Sequence, residues 1–352
     1  MQKLESALTK PILICGPCAA ESREQILSSA KELSLLEVKW LRAGIWKPRT
    51  RPSAFEGVGT KGLSWLKEAK DTYNINVCTE VAKSNHIEKC LKAGIDALWL
   101  GARTSSNPFS VEELAESLTG VKDTAIMIKN PMIPDVKLWL GAIERVEKHT
   151  GVTPIAIHRG FSLTDNTPYR QSPLWKIAFE LKQLRKDIKI ICDPSHIAGN
   201  RTLVKDIALQ AANIGFDGLM IETHPSPENA LTDTEQQLNF KDLADLLAVV
   251  NFPDSNKVSN SLLSLRESLN ETDKVIIEAL ARRMQLSESI AKVKQKENMT
   301  VFQANRWEEV LKTLLANAER KGLNKDFIKE IYEIIHQESI KIQNITIKKS
   351  RE

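Results

Sequence analysis

The sequence predicts an α/β fold, a closed (β/α)8 barrel, followed by a separate all-α domain. Three observations carry this reading. Eight short apolar runs, rich in β-branched residues and too short for helices, alternate with helix-periodic segments over residues 1–250. A polar stretch over residues 251–261, reading NFPDSNKVSN at its start, has the composition of a linker. Residues 262–352 then show only helical spacing and contain no proline. Strict alternation of strand and helix calls for a parallel sheet, and eight units in that length close it into a TIM barrel.

In order, the expected strands are Ile12–Cys18, Val38–Ile45, Ile75–Val81, Ala97–Ala102, Ala125–Lys129, Pro154–His158, Ile188–Cys192 and Gly218–Glu222. Helical periodicity fills the gaps, as in Ser22–Leu36, Leu63–Tyr73 and Asp135–His149, the last stopped by Gly151. The seventh unit, IKIICDPSHIAGN, is the most telling. Its β-branched run Ile188, Ile190 and Ile191 breaks at Pro194, which has no N–H for a central strand. A histidine, His196, is thereby delivered to the C-terminal tip of a buried strand, where the loops of a parallel α/β sheet converge on one crevice. The plainer alternative is a turn that carries a surface histidine.

The barrel topology gathers the polar residues at the strand ends into one mouth. Cys18 follows the first strand, and Arg42 and Lys47 end the second. Arg103 follows the fourth, Lys129 ends the fifth and Arg159 follows the sixth. His196 follows the seventh, Glu222 ends the eighth and Asp233 lies in the loop beyond. Cys18, His196, Glu222 and Asp233 form a sulfur, nitrogen and oxygen set able to hold a divalent transition metal. Arg42, Lys47, Arg49, Arg103, Lys129 and Arg159 form a cationic set that would repel itself in one cleft without an anionic ligand. Guanidinium forks suit phosphate and carboxylate.

Composition removes other classes. A formal net charge of +4 over 352 residues, with no Lys/Arg stripe interleaved with aromatics, argues against a nucleic-acid partner. The five cysteines are an odd number set largely in apolar runs, which suits reduced thiols in a cytoplasmic protein. Cys15 and Cys18 make a C-x-x-C pair open to redox or zinc use, but no second pair follows. No run of about 18 apolar residues is present, so no membrane association is expected.

Taken together, Gly16-Pro17-Cys18, Arg42-Ala43-Gly44, Lys47-Pro48-Arg49-Thr50, Gly101-Ala102-Arg103, His158-Arg159-Gly160, Asp193-Pro194-Ser195-His196 and GLMIETHPSP at 218–227 resemble 3-deoxy-D-arabino-heptulosonate 7-phosphate (DAHP) synthase, type I β-subclass. The resemblance covers residues 10–250. It implies condensation of phosphoenolpyruvate with erythrose 4-phosphate, with release of phosphate. It also implies a divalent metal ion, manganese first among candidates, on Cys18, His196, Glu222 and Asp233. Arg42, Lys47 and Lys129 would then face the carboxylate side of phosphoenolpyruvate, and Arg103, beside Ala102, and Arg159 its phosphate. Arg49 and Thr50 would meet the sugar phosphate, and Lys129 is our expected proton donor. The sequence departs from the family at Arg51-Pro52-Ser53 and Thr104-Ser105-Ser106, which bear on the aldose pocket. The rival on the same barrel is 3-deoxy-manno-octulosonate 8-phosphate synthase, against which the KPRT motif argues.

In the helical domain the first helix runs from about Leu262 to Lys296, followed by Asn305–Lys321, stopped by Gly322, and Lys325–Ile345, started by Asn324. Arg283 and Lys294 are 11 residues apart, hence within about 20° on one face and about 16 Å apart along the axis, a spacing that suits a dianion. Arg266 lies about 100° off that face and would better serve a neighbouring chain. Ser339 and Gln343 form an i,i+4 pair. Residues 262–345 resemble the all-helical chorismate mutase, which implies substrate binding by Arg266, Arg283, Lys294, Gln303, Arg306, Ser339 and Gln343, with Lys294 on the ether oxygen of chorismate. It also implies a dimer or higher oligomer in which Arg266 enters the partner's site. Trp307 and Gln303 stand where that family often has acids. The whole chain thus reads as a bifunctional shikimate-pathway enzyme, whose barrel prephenate is expected to inhibit. A helical domain that only senses a ligand or only assembles the chain is the alternative.

Overall fold

The computed structural model describes residues 11–47, 55–163, 167–253 and 260–349. Eight parallel strands close into one barrel in chain order: β1 (Ile12–Gly16), β2 (Trp40–Arg42), β3 (Asn76–Val81), β4 (Ala97–Leu100), β5 (Ala125–Lys129), β6 (Ile155–His158), β7 (Ile190–Cys192) and β8 (Gly218–Glu222), with β8 pairing back onto β1. β2 is shorter than expected. Its last ladder bond runs from Ala43 N–H to Cys78 O, beyond which Gly44 makes an isolated bridge to Ala19. The helix signals hold in detail. Ser22 caps helix Arg23–Leu35 by accepting from Gln25 N–H, and Asp135 caps Val136–Thr150 by accepting from Lys137 and Leu138. Gly151 ends the latter helix at φ 69°, a left-handed position that costs glycine little.

Strand alternation sorts the barrel's side chains into two cores. Ile12, Ile14, Trp40, Cys78, Trp99, Met127, Ile157 and Met220 are among those that fill the barrel interior, while Cys15, Leu41, Val77, Leu98, Ile128 and Leu219 pack outward against the helices. Each fully buried large side chain contributes about 1.5–3 kcal/mol. The same parity decides the mouth. Two residues beyond an inward position comes the next inward one, so Arg42 follows Trp40, Glu80 follows Cys78, Lys129 follows Met127, Arg159 follows Ile157, Asp193 follows Ile191 and Glu222 follows Met220. Gly16 and Gly101 complete the layer, and neither has room for a side chain: a Cβ on Gly101 would lie 2.2 Å from Glu80 Oε1. The interior therefore ends in a charged layer.

The chain divides into two compact units, Met1–Ser255 and Asn256–Glu352. The second holds helices Asn260–Lys296, Ala304–Arg320 and Lys325–Lys349, with Asn324 Oδ1 accepting from Phe327 N–H at the start of the third. Its long first helix exposes Leu265, Leu269, Val275, Ile276 and Ile277.

Candidate functional sites

The DPSH segment is a short helix rather than a turn. Asp193 caps Pro194–Ala198 and accepts from His196 N–H at 3.1 Å, with Pro194 at the first position, where no donor is missed. Asp193 is fully buried, accepts from Lys129 Nζ at 2.8 Å and has His196 Nδ1 2.8 Å away. One carboxylate thus orients two of the predicted residues. Burial alone would raise its pKa, but His196, Lys129 and Arg42 hold it well below the usual range.

Of the four predicted metal ligands, Cys18, Glu222 and Asp233 bring one donor atom each within 4.8 Å of one another. His196 stands beside this triad rather than in it, with Nδ1 3.8 Å from Glu222 Oε1. Cys18 Sγ lies 3.0 Å from Asp233 Oδ2 and 3.0 Å from Lys47 Nζ. Burial, reinforced by Glu222 and Asp233, pushes the Cys18 thiol up to about 12, against the pull of Lys47 and Arg42. Glu222 Oε1 is buried and accepts no hydrogen bond among the described residues. A thiol and two carboxylates that face one another, one oxygen accepting no hydrogen bond among the described residues, fit a divalent transition metal.

Beside them a cavity of about 140 Å³ is lined by Lys47, Ala102, Arg103, Lys129, Arg159 and Arg170, among others. Arg42 is buried over the Trp99 ring at 5.0 Å and lies 3.2 Å from Glu222, but its Nε and Nη1 donate to nothing in the described residues. Arg159 bonds Gln171 Oε1 and Met132 Sδ, and among the described residues no carboxylate pairs with it. Burial, then the like charges of Arg170 and Arg103 opposed by Asp193, lower it to about 10. Buried donors without acceptors and cations pressed together point to an anion. Arg49 and Thr50 lie outside the described residues.

Sequence reasoning passed over Glu80, Asp193, Arg170, Gln236 and Gln237. The first two sit at inward parity and could have been found by it. The others lie in irregular loops, where no periodicity marks them.

In the helical unit, Arg283, Lys294, Gln303, Arg306, Ser339 and Gln343 all line one cavity of about 330 Å³. Arg283 donates to Ser339 Oγ, and Lys294 to the carbonyl of Val301. Burial lowers the pKa of both cations, and Gln343 Oε1 is buried without a hydrogen-bond partner among the described residues. Trp307, in place of an acid, stacks on His336 at 4.0 Å and 11°. Burial, then Arg283 and Lys294, lower the His336 pKa. Arg266 is exposed and does not line this cavity. It lies 17 residues before Arg283, about 25 Å along the helix.

Residues 7–255 match the model of the DAHP synthetase I family, and residues 265–344 that of chorismate mutase type II. A phospho-2-dehydro-3-deoxyheptonate aldolase of Thermotoga maritima is 32% identical over 247 residues, covering 67% of this chain and 71% of its own length. A bifunctional chorismate mutase/prephenate dehydratase of Buchnera aphidicola is 39% identical over 92 residues, 26% of this chain and 25% of its own. The solved DAHP synthase from Thermotoga maritima superposes with a TM-score of 0.60 at 28% identity, covering 73% of this chain and 69% of that one. Among the described residues, no helix is long and apolar enough to cross a membrane. The chain belongs to the DAHP synthetase I family, and its barrel together with its chorismate mutase domain makes it a bifunctional shikimate-pathway enzyme.

Proposed function

We propose that the barrel mouth condenses phosphoenolpyruvate with erythrose 4-phosphate, and that the helical cavity rearranges chorismate to prephenate. The observation that carries the first reading is the meeting at one barrel mouth of a thiol and two carboxylates with a buried arginine, Arg42, whose Nε and Nη1 donate to nothing among the described residues. Cys18, Glu222 and Asp233, with His196 beside them, would hold a divalent ion, manganese first among candidates. The family is generally metal-dependent. When bound, the ion supplies Lewis-acid polarisation of the aldehyde oxygen.

The chain's own residues do the rest. Arg42 and Lys47 take the carboxylate of phosphoenolpyruvate, and Arg103 and Arg159 its phosphate, which fixes carbon 3 against the aldehyde. Lys129, oriented by Asp193, binds on the carboxylate side and gives a proton to the aldehyde oxygen as the carbon–carbon bond forms. Water then adds at carbon 2 and phosphate departs. Arg49 and Thr50 are proposed to receive the sugar phosphate. Residues 1–250, 251–261 and 262–352 are proposed as barrel, linker and mutase domain, in a cytoplasmic protein.

The test is loss of phosphoenolpyruvate absorbance with erythrose 4-phosphate or arabinose 5-phosphate, before and after EDTA. Consumption with erythrose 4-phosphate alone, abolished by chelator and slowed by prephenate, is expected. Consumption with arabinose 5-phosphate would instead move the barrel to the octulosonate synthase reaction.

In the mutase cavity, Arg283 and Arg306 are proposed to take the two carboxylates. Lys294 and Gln343 would attend the ether oxygen, and Ser339 and Gln303 the remaining polar contacts. The exposed apolar stripe of helix Asn260–Lys296 and the outward Arg266 support a dimer in which each Arg266 completes the partner's site. Mixing Arg266→Ala and Lys294→Met chains, each inactive alone, is then expected to restore about a quarter of mutase activity, since half the dimers are mixed and one site in each is intact. No restoration would place Arg266 outside the site.

A further inference from the structure

We propose that Gln236 and Gln237, adjacent buried glutamines beyond β8, are positioning residues that decide which oxygen Glu222 and Asp233 offer to a metal and where Cys18 is held beside them. The proposal rests on the reading of those three as ligands.

A buried ligand side chain offers one chosen donor when its other polar atom is occupied elsewhere, and a buried acceptor left unsatisfied costs about 1–3 kcal/mol. Gln236 arranges this for the two carboxylates. Gln236 Nε2 donates to Glu222 Oε2 at 2.6 Å, which leaves Oε1, with Arg42 Nη2 at 3.2 Å, as the oxygen that accepts no hydrogen bond among the described residues. Gln236 Oε1 accepts from Arg170 Nη1 at 2.8 Å, and the same nitrogen donates to Asp233 Oδ1 at 3.1 Å. Asp233 Oδ2 is thereby left facing Cys18 Sγ. The path Glu222–Gln236–Arg170–Asp233 thus ties the two carboxylates together from outside the triad. Gln237 holds the third ligand through its backbone, since Sγ is the one donor atom that a cysteine side chain has. Its Oε1 accepts Cys18 N–H at 2.9 Å, and its Nε2 donates to Thr232 O at 2.8 Å, joining the exit of β1 to the residue before Asp233.

Two features show that this arrangement is specific. The orientation of each amide is set by its partners: Gln236 meets a carboxylate with its donor and a guanidinium with its acceptor, so glutamate could not replace it without setting oxygen against oxygen. Asp233 adopts φ +48°, which a non-glycine residue keeps only when its surroundings over-determine it. The Gln237 bond to Thr232 and the turn bond from Gln236 N–H to Asp233 O, at 3.3 Å, provide that. Both glutamines are essentially inaccessible, at 1% and 0% exposure, so they act through the ligands and not on substrate. Outer partners of metal ligands typically carry a 10–100-fold effect on affinity.

The test uses the full chain, stripped with EDTA and titrated with cobalt(II), read by its ligand-field and thiolate charge-transfer absorption. Gln236→Leu and Gln237→Leu are expected to raise the cobalt Kd about 10–100-fold and to shift the bands. Thermal melts in EDTA check that each variant is folded. If Gln236→Leu shows no cooperative melt, Gln236→Glu keeps the volume while replacing the donor and is expected to weaken binding by at least about 10-fold. Parental Kd and bands in the folded variants would overturn the proposal. Failure of the ligand reading itself looks different: the parent would bind no cobalt, or Cys18→Ser would leave the charge-transfer band in place.

Discussion

Lys129→Met is expected to lower synthase turnover about 10²–10³-fold while chorismate rearrangement by the same chain stays unchanged. Lys129 is buried, and its amine lies 2.8 Å from Asp193 in the charged layer of the barrel. The substitution keeps much of the volume but removes a cation aimed at the substrate and the proposed proton donor. It also removes from Asp193 the lysine it pairs with. Lys129→Arg separates the roles. A guanidinium keeps the charge but does not release its proton near neutral pH, so KM for phosphoenolpyruvate should stay near parental while kcat remains low. Steady-state kinetics with both substrates decide the matter. Near-normal turnover in Lys129→Met would remove the residue from proton transfer.

Lys294→Met is the mirror experiment: mutase turnover falls about 10²–10³-fold and the synthase rate is untouched. Lys294 lines the helical cavity with Arg283, Ser339 and Gln343, and burial already presses on its charge. Negative charge grows on the ether oxygen only as the carbon–oxygen bond breaks, so the amine stabilises the transition state more than bound chorismate. The loss should therefore appear in kcat with little change in KM. Chorismate consumption followed by absorbance measures it. Equal turnover in parent and variant would remove Lys294 from the chemical step, and no turnover in either would leave the cavity as a ligand sensor.

Both experiments rest on residues that the sequence already singled out, and the reason is periodicity. Alternation in the strands and the 100° step of a helix are local properties, so they place a side chain on a face before any tertiary contact is known. Position at the strand ends put Arg42, Lys129, Arg159 and Glu222 at the barrel mouth, and a parity count carried on from Cys78 and Ile191 would have added Glu80 and Asp193. Helical phase likewise joined Arg283 to Lys294 and set Arg266 apart, and the folded chain keeps Arg266 out of their cavity.

Periodicity has nothing to say about loops. The reading of DPSH as a bare turn failed because Asp193 closes a cap on His196 N–H and starts a helix. Trp307 was noticed only as a missing acid, since its stack on His336 joins two different helices. Fold, domain order and the inventory of charges were thus determined by the sequence itself. Which donor atoms meet was decided by the tertiary structure, through bonds such as that from Cys18 N–H to Gln237, 219 positions away. No local pattern encodes such a bond, because its geometry exists only after the barrel has closed β8 onto β1.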